Sequence, residues 1–137
     1  MKKILKLLIV DDHQIVIDGI KSLLADEDDI LVVGEANNGK QALEVLNNNN
    51  ADIVLMDIDM PVLNGYDTTR ILKNTYPKTK VIALTMHNEK AFINNMIDAG
   101  AWGYVLKNIS KEDLLKAIHE VSIGNRFFGS DISLILL

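Results

Sequence analysis

The chain has 137 residues, 48% of them apolar and 24% charged, with a net charge of −5. That length and composition give one folded domain with a real core. The absence of cysteine rules out disulfides, thiolate catalysis and cysteine-ligated zinc. The acidic balance, without a basic run, argues against direct nucleic-acid binding.

Met1-Lys2-Lys3-Ile4-Leu5 begins like a secretory signal, but Lys6 interrupts the apolar run and Asp11-Asp12 end it. The segment Ile4–Val10 therefore reads as a first core strand. A first helix is predicted over His13–Ala25, with Val16, Ile20, Leu23 and Leu24 on its inward stripe. A second strand is read at Ile30–Val33. A second helix follows Gly39, with Ala42, Leu43 and Leu46 inward, and frays into the loop-like run Asn47–Asn50.

Ile53-Val54-Leu55-Met56 is apolar at every position, as expected for a strand covered on both faces. A third helix runs from Gly65 to Tyr76 and is stopped by Pro77. A fourth strand, Val81–Leu84, leads to a fourth helix between Asn88 and Ala99, with Gly100 as a left-handed cap. A fifth strand spans Gly103–Leu106. The fifth helix starts at Ser110, which has capping-box spacing with Asp113, and its stripe is Leu114, Leu115, Ile118 and Val121. The alternation predicts an α/β fold, a doubly wound (βα)5 parallel sheet with helices on both faces. No stretch approaches the ~20 apolar residues of a membrane helix, and a cytoplasmic location is expected.

Beyond Ser122 the pattern changes. Gly124-Asn125-Arg126 reads as a turn, and Phe127-Phe128 has the composition to pack back on the core. Ile132, Ile135 and Leu136 have helical spacing near the end of the sequence. Two readings follow: a domain cut from a longer chain, or a short helix docking on the fifth helix.

Five polar residues stand where apolar runs end: Asp11 and Asp12, Asp57, Thr85 and Lys107. Strand C-terminal ends of a parallel sheet share one edge, where ligands bind. Each residue alone has an ordinary role. Asp12 caps a helix, Asp57 opens a turn before Pro61, Thr85 ends a strand and Lys107 is a surface lysine. Together they place three carboxylates, a hydroxyl and an ammonium around one site. Adjacent carboxylates repel, and a hard cation such as Mg2+ gives them a reason to be neighbours. A carboxylate can act as nucleophile toward phosphorus, and phosphoryl transfer needs mainly positioning and charge neutralisation. His13 and His87 lie near the same edge while His119 falls on a distant helix, so a three-histidine zinc site is not expected. Trp102 is read as packing.

Val10-Asp11-Asp12-His13, Met56-Asp57-Ile58-Asp59-Met60-Pro61 with Gly65, Ala83-Leu84-Thr85 and Gly100-Ala101-Trp102-Gly103-Tyr104-Val105-Leu106-Lys107 together resemble the response-regulator receiver domain of two-component signalling. The resemblance covers about residues 4–122. The histidine after the acidic pair and the Gly-Tyr-x-Leu-Lys ending resemble the NarL/FixJ-type subfamily, whose members usually carry a LuxR-type helix-turn-helix output domain.

The resemblance implies a flavodoxin-like sheet of strand order 2-1-3-4-5, a receiver over residues 1–122, and a tail, 123–137, that starts a linker to a missing DNA-binding domain. It implies Asp57 as phosphoacceptor. Asp11, Asp12, Asp57 and the Asp59 backbone carbonyl become Mg2+ ligands, Lys107 the partner of the phosphoryl group, and Thr85 and Tyr104 the switch pair. It implies a histidine kinase as phosphodonor, homodimerisation on phosphorylation, and transcriptional control as output. The domain would signal, and act as an enzyme only on its own phosphorylation and dephosphorylation. Two departures stand out. Asn108 follows the lysine where many receivers have proline, which leaves the peptide geometry there open. Asp59 adds an acid beside the site; its side chain either repels the attacking water or faces solvent. Two other functions remain. Asp57-Ile58-Asp59 has the Asp-x-Asp spacing of haloacid-dehalogenase-type phosphatases, although that motif usually ends a first strand. A stand-alone phosphorelay adapter is the third reading.

Overall fold

A computed structural model describes residues 3–136; Met1 and Lys2 of the signal-like start, and Leu137, lie outside the described residues. Six strands form one parallel sheet: β1 (Leu5–Val10), β2 (Ile30–Ala36), β3 (Ile53–Met56), β4 (Lys80–Thr85), β5 (Gly103–Leu106) and β6 (Phe127–Phe128). Their order is β2-β1-β3-β4-β5-β6, the expected order with one strand added at the β5 edge. Between them run α1 (Gln14–Leu24), α2 (Gly39–Asn48), α3 (Gly65–Thr75), α4 (Lys90–Ala99) and α5 (Lys111–Ser122), and α6 (Ser130–Leu136) follows β6. None of these helices is long and apolar enough to cross a membrane.

The period of two along each strand divides the core into two layers. Leu8, Val10, Val54, Met56, Ala83 and Tyr104 face α2, α3 and α4, where Leu46, Leu72, Ile93 and Met96 meet them. Leu7, Ile9, Ile53, Leu55, Ile82 and Val105 face α1 and α5, against Ile17, Ile20, Leu114 and Ile118. Every residue of β3 is buried, so its run carries no polar alternation.

Local capping sets where the helices begin. The side chains of Asn38, Asn64 and Ser110 accept from the backbone N–H groups of Gln41, Asp67 and Asp113, each satisfying a donor that the first turn leaves free. Gly100 ends α4 at φ 114°, a conformation that glycine adopts without a Cβ penalty.

Several expectations shift. β2 runs on to Ala36, and α2 takes in Asn47 and Asn48. The inward stripe of α1 is Ile17, Ile20 and Leu24; Leu23 is exposed and Val16 only partly buried. Three consecutive apolar residues, Ile15-Val16-Ile17, hide the phase of that helix. Within the tail it is β6, and not the short helix, that packs on α5. Phe127 and Phe128 pair with Gly103 and Tyr104, and α6 packs on α4, on the sheet face opposite the apolar stripe of α5.

Candidate functional site

Ladder hydrogen bonds continue one residue past three strand ends. Asp11 N donates to Ala36 O at 3.0 Å, Asp57 N to Val10 O at 2.9 Å and Lys107 N to Thr85 O at 2.9 Å. Asp11, Asp57 and Lys107 are thereby held by sheet geometry, not by loop conformation. Their side chains converge: Lys107 Nζ lies 2.7 Å from Asp11 Oδ2 and 3.5 Å from Asp57 Oδ2. Asp11 is 2% exposed and Asp57 6%.

Two buried carboxylates side by side are electrostatically unfavourable. Burial pushes the Asp57 carboxyl up to about 6, the charge of Asp11 adds to the rise, and Lys107 together with the Ile58 N–H opposes it. Burial alone would depress the Lys107 ammonium, but its hydrogen bond to Asp11 and the charges of Asp57 and Asp11 outweigh that and raise it. Ile58 N donates to Asp57 Oδ1 at 2.9 Å, which leaves Oδ2 as the oxygen on the Lys107 side.

Asp12 does not cap α1. The N-cap position belongs to His13, whose side chain makes no capping bond, and His13 N donates to Asp11 Oδ1 at 2.9 Å. Asp12 Oδ1 is instead buried without a hydrogen-bond partner, although His13 Nδ1 stands 3.1 Å away at ion-pair distance. Ligand atoms of Asp11, Asp12, His13 and Asp57 all lie within 4.8 Å of one another. An orphaned carboxylate oxygen within an oxygen-rich cluster fits a hard divalent cation. His13, directly after the acidic pair and expected near this edge, joins the three carboxylates in this group.

The β3–α3 loop forms the floor. Val62 has φ 70°, and Leu63 N donates to Pro61 O at 2.8 Å, the i→i+2 bond of a γ-turn. A positive φ at a β-branched residue is strained, and such strain collects at functional loops. Gly65 N donates to Ile58 O at 2.8 Å. A Cβ at Gly65 would meet the Asp57 carbonyl oxygen at 2.1 Å, so only glycine lets α3 start this close to the end of β3.

Thr85 and Tyr104 are fully buried, and both reach one residue that the sequence did not single out for this role. His87 N donates to Thr85 Oγ1 at 3.2 Å, and Tyr104 Oη donates to His87 O at 2.7 Å. Burial raises the Tyr104 phenol well above its ordinary value. The His87 ring stacks on Phe92 with centroids 4.1 Å apart and pairs with the Asp59 carboxylate. The Asp59 side chain thus turns toward the β4–α4 loop and has a cationic partner when His87 is protonated. The Lys107–Asn108 peptide is trans. His119 is remote from the site, paired with Asp29.

The model of the response regulator receiver domain matches residues 7–119. The transcriptional regulatory protein DegU of Brevibacillus brevis is 36% identical over 123 residues, which cover 90% of this chain and 52% of DegU. The chain thus spans about half the length of that relative. A two-component response regulator of the LuxR family from Aurantimonas sp. SI85-9A1 superimposes with a TM-score of 0.91 at 31% identity, covering 98% of this chain and 96% of the other. The isolated REC domain of RcsB from Salmonella enterica serovar Typhimurium, solved with the phosphomimetic BeF3−, gives a TM-score of 0.89 at 29% identity, covering 97% and 99%. With its acidic pocket, sheet order and chain-long match, this chain belongs to the receiver domains of two-component response regulators, in the NarL/LuxR group.

Proposed function

We propose that Asp57 accepts a phosphoryl group from a histidine kinase with the help of Mg2+, and that this controls transcription through an output domain carried elsewhere in the protein. The observation that carries the reading is Lys107 Nζ, held between the buried Asp11 and Asp57 carboxylates beside the partnerless Asp12 oxygen.

In this reading a carboxylate oxygen of Asp57 attacks the phosphorus of a phosphohistidine. A P–O bond forms and the P–N bond breaks. The imidazole leaves with the electron pair and takes up a proton. Asp11, Asp12, Asp57 and the Asp59 carbonyl would hold Mg2+, which supplies positive charge to the phosphoryl oxygens. Lys107 supplies charge from the other side. Water later hydrolyses the acyl phosphate, which resets the domain.

The phosphoryl group adds roughly −1.5 to −2 charge. The Thr85 hydroxyl moves to the new oxygens and releases His87 N, and Tyr104 fills the space behind it. What supports a coupling is that both residues meet at His87, Thr85 Oγ1 accepting from its N–H and Tyr104 Oη donating to its carbonyl. Moving the population from 1:99 to 99:1 takes about 5.5 kcal/mol, within reach of a few charge-assisted hydrogen bonds of about 1.5–3 kcal/mol each. The face formed by α4, β5 and α5 then changes, with homodimerisation as the proposed consequence. The site of action is the cytoplasm. Family membership weighs against the haloacid-dehalogenase-type phosphatase, and the regulator kinship of DegU weighs against a stand-alone adapter.

Intact-mass measurement after treatment with acetyl phosphate and Mg2+ tests the reading. One phosphoryl adduct is expected, lost with Asp57→Asn and lost on chelation. An adduct that survives Asp57→Asn removes Asp57 as acceptor. A full response of Thr85→Ala to beryllofluoride removes the Thr85–Tyr104 coupling.

A further inference from the structure

The tail following α5 is built into the switch face. Its first part is anchored at the N-terminal end of β5. Arg126 Nη1 donates to Ala101 O at 2.8 Å, its guanidinium lies 4.5 Å from the Trp102 ring centroid, and Phe127 N donates to Trp102 O at 3.1 Å. Its second part is joined to the switch residue. Phe128 pairs with Tyr104 in the ladder, and Gly129 N donates to Tyr104 O at 3.2 Å. Ile132 of α6 is fully buried, in the same apolar cluster as Tyr104, Ile93 and Met96.

A seven-residue helix is too short to persist in water on its own. Helix α6 therefore exists because α4 and its neighbours present a surface that accepts Ile132 and the partly buried Ile135 and Leu136. That surface contains the Tyr104 ring only while the ring points inward. From this geometry we propose that β6 and α6 are the readout arm of the receiver: α6 docks on α4 when Tyr104 is inward and releases when Tyr104 leaves. Arg126 and Trp102 hold the base of the arm in both states, so the signal is the order of α6 alone. The inference rests on the phosphorylation switch proposed above and adds to it the element through which the state leaves the domain.

Hydrogen exchange of the whole chain, read by mass spectrometry with Mg2+ in the presence and absence of beryllofluoride, tests it. Amides of 132–136 are expected to exchange at least tenfold more slowly with beryllofluoride, while those of 125–127 stay unchanged. Coupling is reciprocal. Ile132→Ala, which weakens docking, should lower beryllofluoride affinity by the factor by which it lowers α6 protection in the bound state relative to the free state. Unchanged protection of 132–136 in protein whose melting temperature shows beryllofluoride bound would overturn the arm. So would unchanged beryllofluoride affinity in Ile132→Ala with α6 exchanging freely. If acetyl phosphate leaves no adduct on Asp57, the switch itself fails and the arm falls with it. An adduct with an unresponsive α6 sinks the arm alone.

Discussion

The two edges of the sheet are built to different rules. At the N-terminal edge, polar groups find partners nearby. Asp52 Oδ2 accepts from Lys6 N at 2.9 Å, Thr79 Oγ1 donates to Ala51 O at 2.8 Å, and Trp102 lies beneath both Lys80 and Arg126. The C-terminal edge has two buried like charges, an orphaned carboxylate oxygen and a strained valine. The same strands make both edges, so the contrast is not one of scaffold. One edge pairs its polar groups, and the other gathers like charges and an unpaired carboxylate oxygen.

Lys107→Met should sharpen the contrast most. Its ammonium separates Asp11 from Asp57, and removing one partner of a buried ion pair typically costs about 3–5 kcal/mol because the remaining charge is left uncompensated. Urea denaturation of the metal-free protein at neutral pH should show a loss near the lower end, since protonation of Asp57 relieves part of it. The N-terminal counterpart, Asp52→Asn, keeps an acceptor for Lys6 N and should lose less than ~1 kcal/mol. Equal losses would erase the distinction between the edges.

Gly65→Ala follows. The added methyl meets backbone, the Asp57 carbonyl oxygen at 2.1 Å, and not a flexible side-chain end. Overpacking of this kind costs about 1–3 kcal/mol and should displace the acceptor loop, slowing adduct formation. Gly129→Ala is the control, because a Cβ there meets nothing within 4 Å. Comparable melting temperatures for the two variants would show that α3 tolerates a retreat from the site.

Much of this contrast could be read before the fold was known, and the unread part has physical causes. Asp11, Asp57, Thr85 and Lys107 were legible because each ends an apolar run, and a parallel sheet sends all such ends to one edge. The fully apolar β3 marked the centre of that sheet. The pairing of His87 with Asp59 was not legible. It spans 28 positions and depends on the paths of two loops. β6 was equally hidden, for Phe127-Phe128 is too short to show a period and pairs only because β5 offers a free edge. The phase of α1 was lost among three adjacent apolar residues, where a 3.6-residue period has no contrast.

Asp57→Asn should move stability the other way. Burial raises the folded carboxyl from its ordinary 3.8 to about 6, so ionised Asp57 destabilises the metal-free fold. That penalty is absent below about pH 4, grows between the two values and is complete above about pH 6. The shift corresponds to about 2–3 kcal/mol. Asp57→Asn should therefore be the more stable protein at pH 7.5 and indistinguishable from the parent near pH 3.5. Mg2+ should narrow the difference at pH 7.5 by stabilising the ionised parent. A variant advantage that persists undiminished at low pH would mean that the gain comes from packing and not from charge.

The smallest effect tests the quiet edge directly. Arg126→Ala removes a guanidinium stacked on Trp102 and a hydrogen bond to Ala101 O. A partly exposed cation–π contact contributes about 0.5–1 kcal/mol, and a neutral acceptor bond about as much. The expected loss is about 1–2 kcal/mol, with the emission of the chain's single tryptophan shifted toward that of a more hydrated indole. Because neither group touches the acidic pocket, the Mg2+ dependence of the melting temperature should stay that of the parent. A changed Mg2+ response in Arg126→Ala would show that the two edges are coupled through β5, and the division of labour drawn between them would have to give way to one cooperative unit.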